Sequence, residues 1–272
     1  HMLRRGVEKL PPVEDMAVEL SPAELEAYSR ILTSDSDDSG RMKFNRLRRA
    51  VTNPALLDPE FPGSRTLQEA LQKTVPAKFL AIDRILEGME PDAKAVIFSP
   101  YLRRGVMDEL QRRYAGYGAL RIDGTIPYGY GNHRNQREEV RQWWLNNPTN
   151  RVLIINETAA ESLSLAYYGG KTYGIILGMP TSMIEFVQFL TREVRRGNKN
   201  VVFYNLVAQY HGHPLGSVDE GLTELIRKKT AVNQTLLDGG RLTEDGRTLL
   251  SDIPHYRQRP VAARLWTPEQ LE

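Results

Sequence analysis

The sequence predicts an α/β protein: a parallel sheet with helices on both faces, plus flanking helical segments. Three observations carry this reading. Short apolar, β-branched runs such as Lys94–Ser99 (KAVIFS) and Arg151–Asn156 (RVLIIN) show no polar alternation, so each suits a strand buried on both faces. Stretches of helical spacing separate most of these runs, as the crossovers of a parallel sheet require. The chain has 272 residues, 40% hydrophobic and 26% charged, which is enough to bury such a core without staples.

The elements follow in order. Pro11-Pro12 marks an extended entry over 1–20, because proline disfavours helix at the residue before it. Ser21-Pro22 opens a helix to about Leu32, with serine as N-cap and proline in the first turn. Thr33–Gly40 (TSDSDDSG) lacks any apolar residue and reads as a loop. Residues 41–52 form a basic helix stopped before Asn53-Pro54, and a Pro- and Gly-containing loop covers Asp58–Ser64. Residues 76–88 place Phe79, Leu80, Ile82, Ile85 and Leu86 at helical spacing. Then come a strand at 94–99, a helix at 101–115, a strand at 119–123, a helix at 133–146 and a strand at 151–156. A strand at 173–177, a helix at 182–196, a strand at 200–208 and a helix at 217–237 complete the pattern. The tail from Gly239 has no periodicity. The division expected is 1–74 as linker and helical segment, 75–210 as the α/β lobe, and 211–272 as a closing helix and tail.

Several classes are excluded. With no cysteine there is no disulfide scaffold, thiolate metal site or cysteine nucleophile. No apolar run approaches the ~20 residues of a membrane span, and no signal pattern opens the chain. His1-Met2 reads as a cloning remnant, so a fragment is expected. A net charge of +2 makes the whole surface no glove for nucleic acid, so any polyanion site must be a local cluster.

An open parallel sheet binds its ligand at the carboxyl ends of its strands. The segments after Ser99, Asp123, Asn156 and Leu177 are therefore the ones to inspect. Gln188, Arg192 and Arg195 are spaced four then three and share one helix face, with Gly197 at a C-cap position. A glutamine and two guanidinium forks suit a triphosphate. The same spacing also suits a solvated basic face near a helix C-terminus. Thr158–Leu165 (TAAESLSL) follows a buried strand, where small residues admit a ligand and hydroxyls can bond phosphate, or where a plain turn would serve.

Other features carry less. Gly170-Lys171-Thr172 resembles the end of a phosphate loop, but Leu165 stands where the earlier glycine belongs and a strand follows. Asp219-Glu220 opens a helix, where carboxylates complement the macrodipole. His211 and His213 show no third metal ligand. Arg41, Lys43, Arg46, Arg48 and Arg49 suit a solvated face or a phosphate-backbone contact. Segment 125–141 mixes Tyr128, Tyr130, His133, Arg134 and Arg137, a combination able to stack bases and hold phosphates.

Taken in order, these segments resemble the C-terminal motor lobe of Swi/Snf-type DNA translocases, helicase-like ATPases of superfamily two. KLPPVEDMAVELSPAELEAYSRIL resembles the family's proline pair, short strand and following helix. FNRLRRAVTNPALL resembles its "LRxxxxHPxLL" stretch, with Asn53 for histidine, and PAKFLAIDRIL resembles "SxKxxxLxxLL". KAVIFSPY is similar to motif IV. RIDGT and QREEVRQWWLNNP resemble "RxDG…RxxxxxxFxxxP", with Arg137 as the arginine and Trp144 in the phenylalanine place. Gln188-x-x-x-Arg192-x-x-Arg195-x-Gly197 matches motif VI, and SVDEGLTELIRKKTAVNQTLLDG resembles the closing helix. The likeness runs from about residue 9 to residue 239. Motif V resembles TAAESLSL with Ala159, Ala160 and Ser162 replacing glycines and Ser164 an asparagine. GMPTSM stands for the usual "DPPWNP".

The resemblance implies a RecA-like lobe of an intracellular, double-stranded DNA translocase. ATP and Mg²⁺ would sit between this lobe and an N-terminal lobe that supplies the phosphate loop and acidic box. Arg192 and Arg195 are implied as arginine fingers, with Gln188 beside them. Ser99, Tyr101, Arg103, Arg134, Arg137, Thr158 and Ser162 are implied as DNA-backbone contacts. The altered motif V keeps a second reading open, a degenerate lobe that grips DNA or a protein partner without turnover.

Overall fold

The computed structural model describes residues 11–34, 40–57, 64–100, 105–127, 135–156, 164–193, 200–214 and 216–237. Its elements are β1 (Val13–Glu19), α1 (Pro22–Thr33), α2 (Gly40–Ala50), a 3-10 turn (Pro54–Leu56), α3 (Arg65–Lys73), α4 (Ala77–Glu87), β2 (Lys94–Phe98) and α5 (Val106–Arg113). They continue with a second 3-10 turn (Ala115–Tyr117), β3 (Leu120–Ile122), α6 (Gln136–Asn146), β4 (Val152–Ile155), β5 (Thr172–Ile176), α7 (Met183–Glu193), β6 (Val201–Gln209) and α8 (Val218–Leu237).

The strands form one sheet in the order β1-β6-β5-β2-β4-β3. β2 runs parallel to both neighbours, with Phe98 opposite Ile155 of β4 and Ile176 of β5. β3 is parallel to β4, and β5 to β6. Every residue of β2, β4 and β5 is buried. Successive side chains point to opposite faces, so unbroken burial means that both faces are covered. The expected α/β sheet is therefore present.

Differences from the expected elements have local causes. β1 is a sixth strand at the sheet edge. The short strand that the resemblance implies is thus present where periodicity gave only an extended entry; its acidic residues are what an edge strand tolerates, and Asp15 accepts from Asn205 Nδ2 of β6 at 3.1 Å. α3 was not expected, because only Leu67 and Leu71 form its buried stripe; Ser64 caps it through Leu67 N. α5 begins at Val106, later than the expected 101, because Gly105 takes the left-handed conformation (φ 76°) that a helix interior excludes. At Gly118 (φ 62°) a Cβ would lie 2.2 Å from the Thr149 carbonyl oxygen, so both conformation and space require glycine.

The chain divides into two compact units. One comprises 1–15, 85–177 and 184–205, and the other 16–84, 178–183 and 206–272. In the first, α6 packs on β3, and α5 on β3 and β4. Trp144 of α6 is fully buried there.

The second unit is organised by buried polar groups at helix starts. Ser21 and Glu24 form the capping box of α1; Glu24 also accepts from Ala77 N at 3.0 Å, which ties α1 to the first turn of α4. Ser217 and Glu220 cap α8 in the same way, with Ser217 N donating to Glu220 at 2.6 Å and Glu220 N to Ser217 Oγ at 3.2 Å. The Tyr28 hydroxyl accepts from Val218 N at 2.8 Å, and burial pushes its phenol above the usual range. Lys78 Nζ meets Asp219 Oδ2 at 2.5 Å with side-chain exposures of 0% and 4%. Asp219 thus does more than complement the helix dipole: it neutralises a buried lysine and accepts from Ala208 N at 3.1 Å. Burial holds the Lys78 amine below its ordinary pKa, and Asp219 opposes that shift.

Removing one partner of such a pair leaves an uncompensated buried charge. Asp219→Asn is expected to cost about 3–5 kcal/mol, read by urea unfolding, while adding Lys78→Met to Asp219→Asn, which keeps an acceptor for Ala208 N, recovers most of the loss. Equal losses in the single and double variants would refute this account of the pair.

Lys94, at the start of β2, is held differently. Its Nζ donates to the carbonyls of Asn147 and Asn150, both at 2.9 Å. It also lies over the rings of Trp144 and Tyr167, 5.7 and 5.1 Å from their centroids. Burial, with Arg151 nearby, lowers its pKa to about 8. The folded chain therefore releases this proton at lower pH than the unfolded chain, whose lysine titrates near 10.5. Between these values the unfolded state binds more protons, so this group adds stability as pH rises. The stability difference between wild type and Lys94→Met should grow from pH 7.5 to 10, by at most about 3 kcal/mol. A flat difference in urea unfolding at the two pH values would exclude the shift.

Candidate functional site

The parallel register brings the carboxyl ends of β2, β3, β4 and β5 to one edge. The ladder continues just past them. Ser99 N donates to Ile155 O at 2.9 Å, and Leu177 N to Phe98 O at 3.0 Å. Beyond β3, Asp123 shapes the turn: Oδ1 accepts from Thr125 N at 2.7 Å and from its hydroxyl at 2.5 Å, and Oδ2 meets Arg121 Nε at 2.9 Å.

α7 is seated by its aromatic face. Phe186, Phe189 and Leu190 are buried. The Phe189 ring lies 5.0 Å from that of Phe98, the last residue of β2, and 5.8 Å from that of Phe203 in β6. Gln188 precedes Phe189 and is half-buried. Arg192 lies one turn further along α7; its side chain, with Arg195 and Gly197, is outside the described residues. The structure thus shows the first half of the predicted Gln-Arg-Arg array, on a helix packed against the carboxyl end of the central strand.

The expected DNA-contact residues divide. Tyr101, Arg103, Arg134, Thr158 and Ser162 lie outside the described residues. Ser99 is fully buried. Arg137 is 8% exposed, and its Nε donates to Ile126 O at 2.7 Å. Its charge is directed at the backbone of the turn after β3 and not outward, a placement that counting basic residues could not reveal. Arg48 of the basic helix is likewise buried and donates to Met179 O at 2.7 Å. Arg41 stays exposed and Arg46 and Arg49 half-buried.

The weaker features are also placed. Gly170-Lys171-Thr172 leads into β5 at its amino end, away from the edge just described. Gly170 lies against the Asp92 carbonyl, which a Cβ would approach to 2.7 Å. Lys171 pairs with Glu90 at 3.4 Å and lies over the Tyr173 ring. Among the described residues, no three His, Asp or Glu side chains cluster in a way that could hold a metal ion, and no helix is long and apolar enough to cross a membrane.

No protein-family model and no curated protein sequence matches the chain. Solved structures do. The C-terminal part of the Fun30 ATPase domain matches with a TM-score of 0.60 at 16% identity, covering 88% of this chain and 93% of that one. The SWI2/SNF2 ATPase core of Sulfolobus solfataricus, solved in complex with dsDNA, matches with a TM-score of 0.54 at 14% identity. That match covers 94% of this chain and 51% of the core, so the chain spans about half its length. The fold is that of a Swi/Snf-type C-terminal ATPase lobe, with the RecA-like sheet and the flanking helices included.

The seating of α7 predicts a sharp contrast between adjacent residues. Phe189→Ala should cost about 3–5 kcal/mol, whereas Gln188→Ala should change stability by less than about 0.5 kcal/mol. Urea denaturation of the two variants checks this; comparable losses would mean that Gln188 belongs to the core.

Proposed function

We propose that this chain is the second motor lobe of an ATP-driven double-stranded DNA translocase. The observation that carries the reading is the conjunction of a whole-chain fold match with the Gln188…Arg192…Arg195…Gly197 pattern falling on α7 and just beyond it. In this reading Arg192 and Arg195 stabilise the charge that develops on the γ-phosphoryl group, and Gln188 orients phosphate or a finger. The phosphate loop and the Mg²⁺ ligands belong to a first lobe. Tyr101, Arg103, Arg134, Thr158 and Ser162 meet the DNA backbone, and such contacts carry no sequence information, as a motor stepping along any sequence requires. Ser99 and Arg137 are buried, and Arg137 holds the Ile126 carbonyl. Alone, the chain would hydrolyse no ATP, because positioning is the main catalytic term and half of the cradle is elsewhere.

The test joins this lobe to a first lobe bearing the phosphate loop and measures steady-state ATPase with saturating DNA. Arg195→Ala should lower turnover by roughly 10³–10⁵ while DNA affinity stays nearly intact, since a finger acts on transition-state charge. Arg195→Lys should rescue little for want of the planar fork. Arg196→Ala should be mild. Equal, modest losses at 192, 195 and 196 would point to a general basic surface and to a lobe that binds without turnover.

A further inference from the structure

α6 buries Arg137 and half-buries Arg141 where a helix packed on a sheet would ordinarily place aliphatic side chains. Arg137, Arg141 and Trp144 are spaced four then three, so they share the face that buries Trp144 against the sheet. Both arginines reach backbone carbonyls outside their own helix. Arg137 Nε donates to Ile126 O at 2.7 Å, in the turn that follows β3. Arg141 Nε donates to Ser164 O, in the segment between β4 and β5. Glu138 braces Arg141 from its own helix: its Oε1 meets Arg141 Nη1 at 2.5 Å and accepts from Gln142 Nε2 at 2.7 Å. Glu138 N is in turn capped by Asn135 Oδ1 at 3.2 Å.

Carbonyls in connecting segments have no ladder partner, and a buried one must find a donor. A guanidinium offers several donors in a fixed plane at the end of a long arm, so it can hold a distant carbonyl and keep a bond to its own helix. Leu165 and Ala166, next to the Ser164 carbonyl, are buried, so the clamp fixes the end of a segment already packed into the core. The turn held by Arg137 is itself built on Asp123, through Thr125 and through Ile126 N, which donates to Asp123 O at 3.2 Å.

We infer that Arg137 and Arg141 are a pair of positioning residues, through which α6 holds the connections after β3 and after β4 at Ile126 and at Ser164. That those connections meet DNA rests on the translocase reading; the clamp itself does not. In that setting the arginines act through backbone carbonyls and touch no phosphate, although their charge invites the opposite assignment.

The experiment compares the chain with Arg141→Met and Arg137→Met by amide hydrogen exchange and by duplex-DNA titration at several salt concentrations. Arg141→Met should speed exchange at Leu165 and Ala166 by about tenfold and leave β2 and β5 unchanged. Arg137→Met should do the same at Thr125–Ile126. If Arg137→Met does not fold, Arg141→Met, whose side chain is partly exposed, decides. Uniform acceleration throughout the unit, or none at these segments, would overturn the proposal. On DNA, Arg141→Met should weaken binding at least about threefold with an unchanged salt slope, since no phosphate contact is lost. A slope flatter by about one unit would make Arg141 a direct phosphate ligand and would also overturn it. If the unaltered chain binds no duplex, the translocase reading loses its support and hydrogen exchange alone decides the clamp.

Discussion

The structure depends on one constraint: β2 is hydrogen-bonded on both sides to parallel strands and buried on both faces. A parallel strand cannot return through a tight turn, so each connection must leave from one edge of the sheet and come back to the other. The two edges then acquire different chemistry. At the amino edge the polar groups are closed on one another: Lys94 on the Asn147 and Asn150 carbonyls, and Lys171 and Tyr173 on Glu90. At the carboxyl edge the turns after β3 and β4 are held at their ends by arginines, and α7 is seated on Phe98 and Phe203.

Charged donors solve the same problem repeatedly. Arg48, Arg137, Arg141 and Lys94 each donate to carbonyls of connecting segments: Met179, Ile126, Ser164, and Asn147 with Asn150. Lys94, held by two carbonyls, bears a share of its desolvation cost, and burial lowers its pKa accordingly, whereas Arg141 also pairs with Glu138 of its own helix. Lys78 is the contrasting case. Its partner is a carboxylate, so the local charge cancels and the cost of breaking the pair falls on whichever group is left. The arginines differ from the lysines in shape: a planar fork can hold a distant carbonyl and keep a second bond, as Arg141 does with Ser164 and Glu138.

The parts of the fold that were legible are those in which a single residue type decides. Runs such as VIF and VLII cannot be amphipathic, so β2 and β4 were readable, and Ser21-Pro22 fixed the start of α1. β1 carries no apolar run, because an edge strand half-exposed and rich in acid has none, so periodicity gave only an extended entry and the short strand came from the resemblance alone. α3 was missed because two leucines one turn apart are too little pattern to separate helix from loop. Of the candidate site, the structure places Gln188, half-buried beside the buried Phe189 of α7. The direction of Arg48 and Arg137 was not. A basic residue on a helix reads the same whether it faces water or a carbonyl, and only the packing of Phe44, Leu47 and Trp144 beside them decides.

This has a consequence for how a helix could serve as a carrier of catalytic charge. An arginine that stabilises a transition state must hold its position to within a fraction of an ångström, since misplacement by about 1 Å can cost 10²-fold in rate. A long, solvated side chain has too much rotamer freedom to supply that precision, so it must come from the helix beneath. α7 has three large apolar residues, Phe186, Phe189 and Leu190, buried around Gln188. Phe189 meets two other rings, one at the end of the central strand. Rings packed on rings have few alternative rotamers, which fixes the rotation of α7 about its axis as well as its height. The rotation matters most here, because Gln188 and Arg192 are one turn apart and any slip would swing both together. The aromatic cluster therefore fixes the orientation of α7 at Gln188.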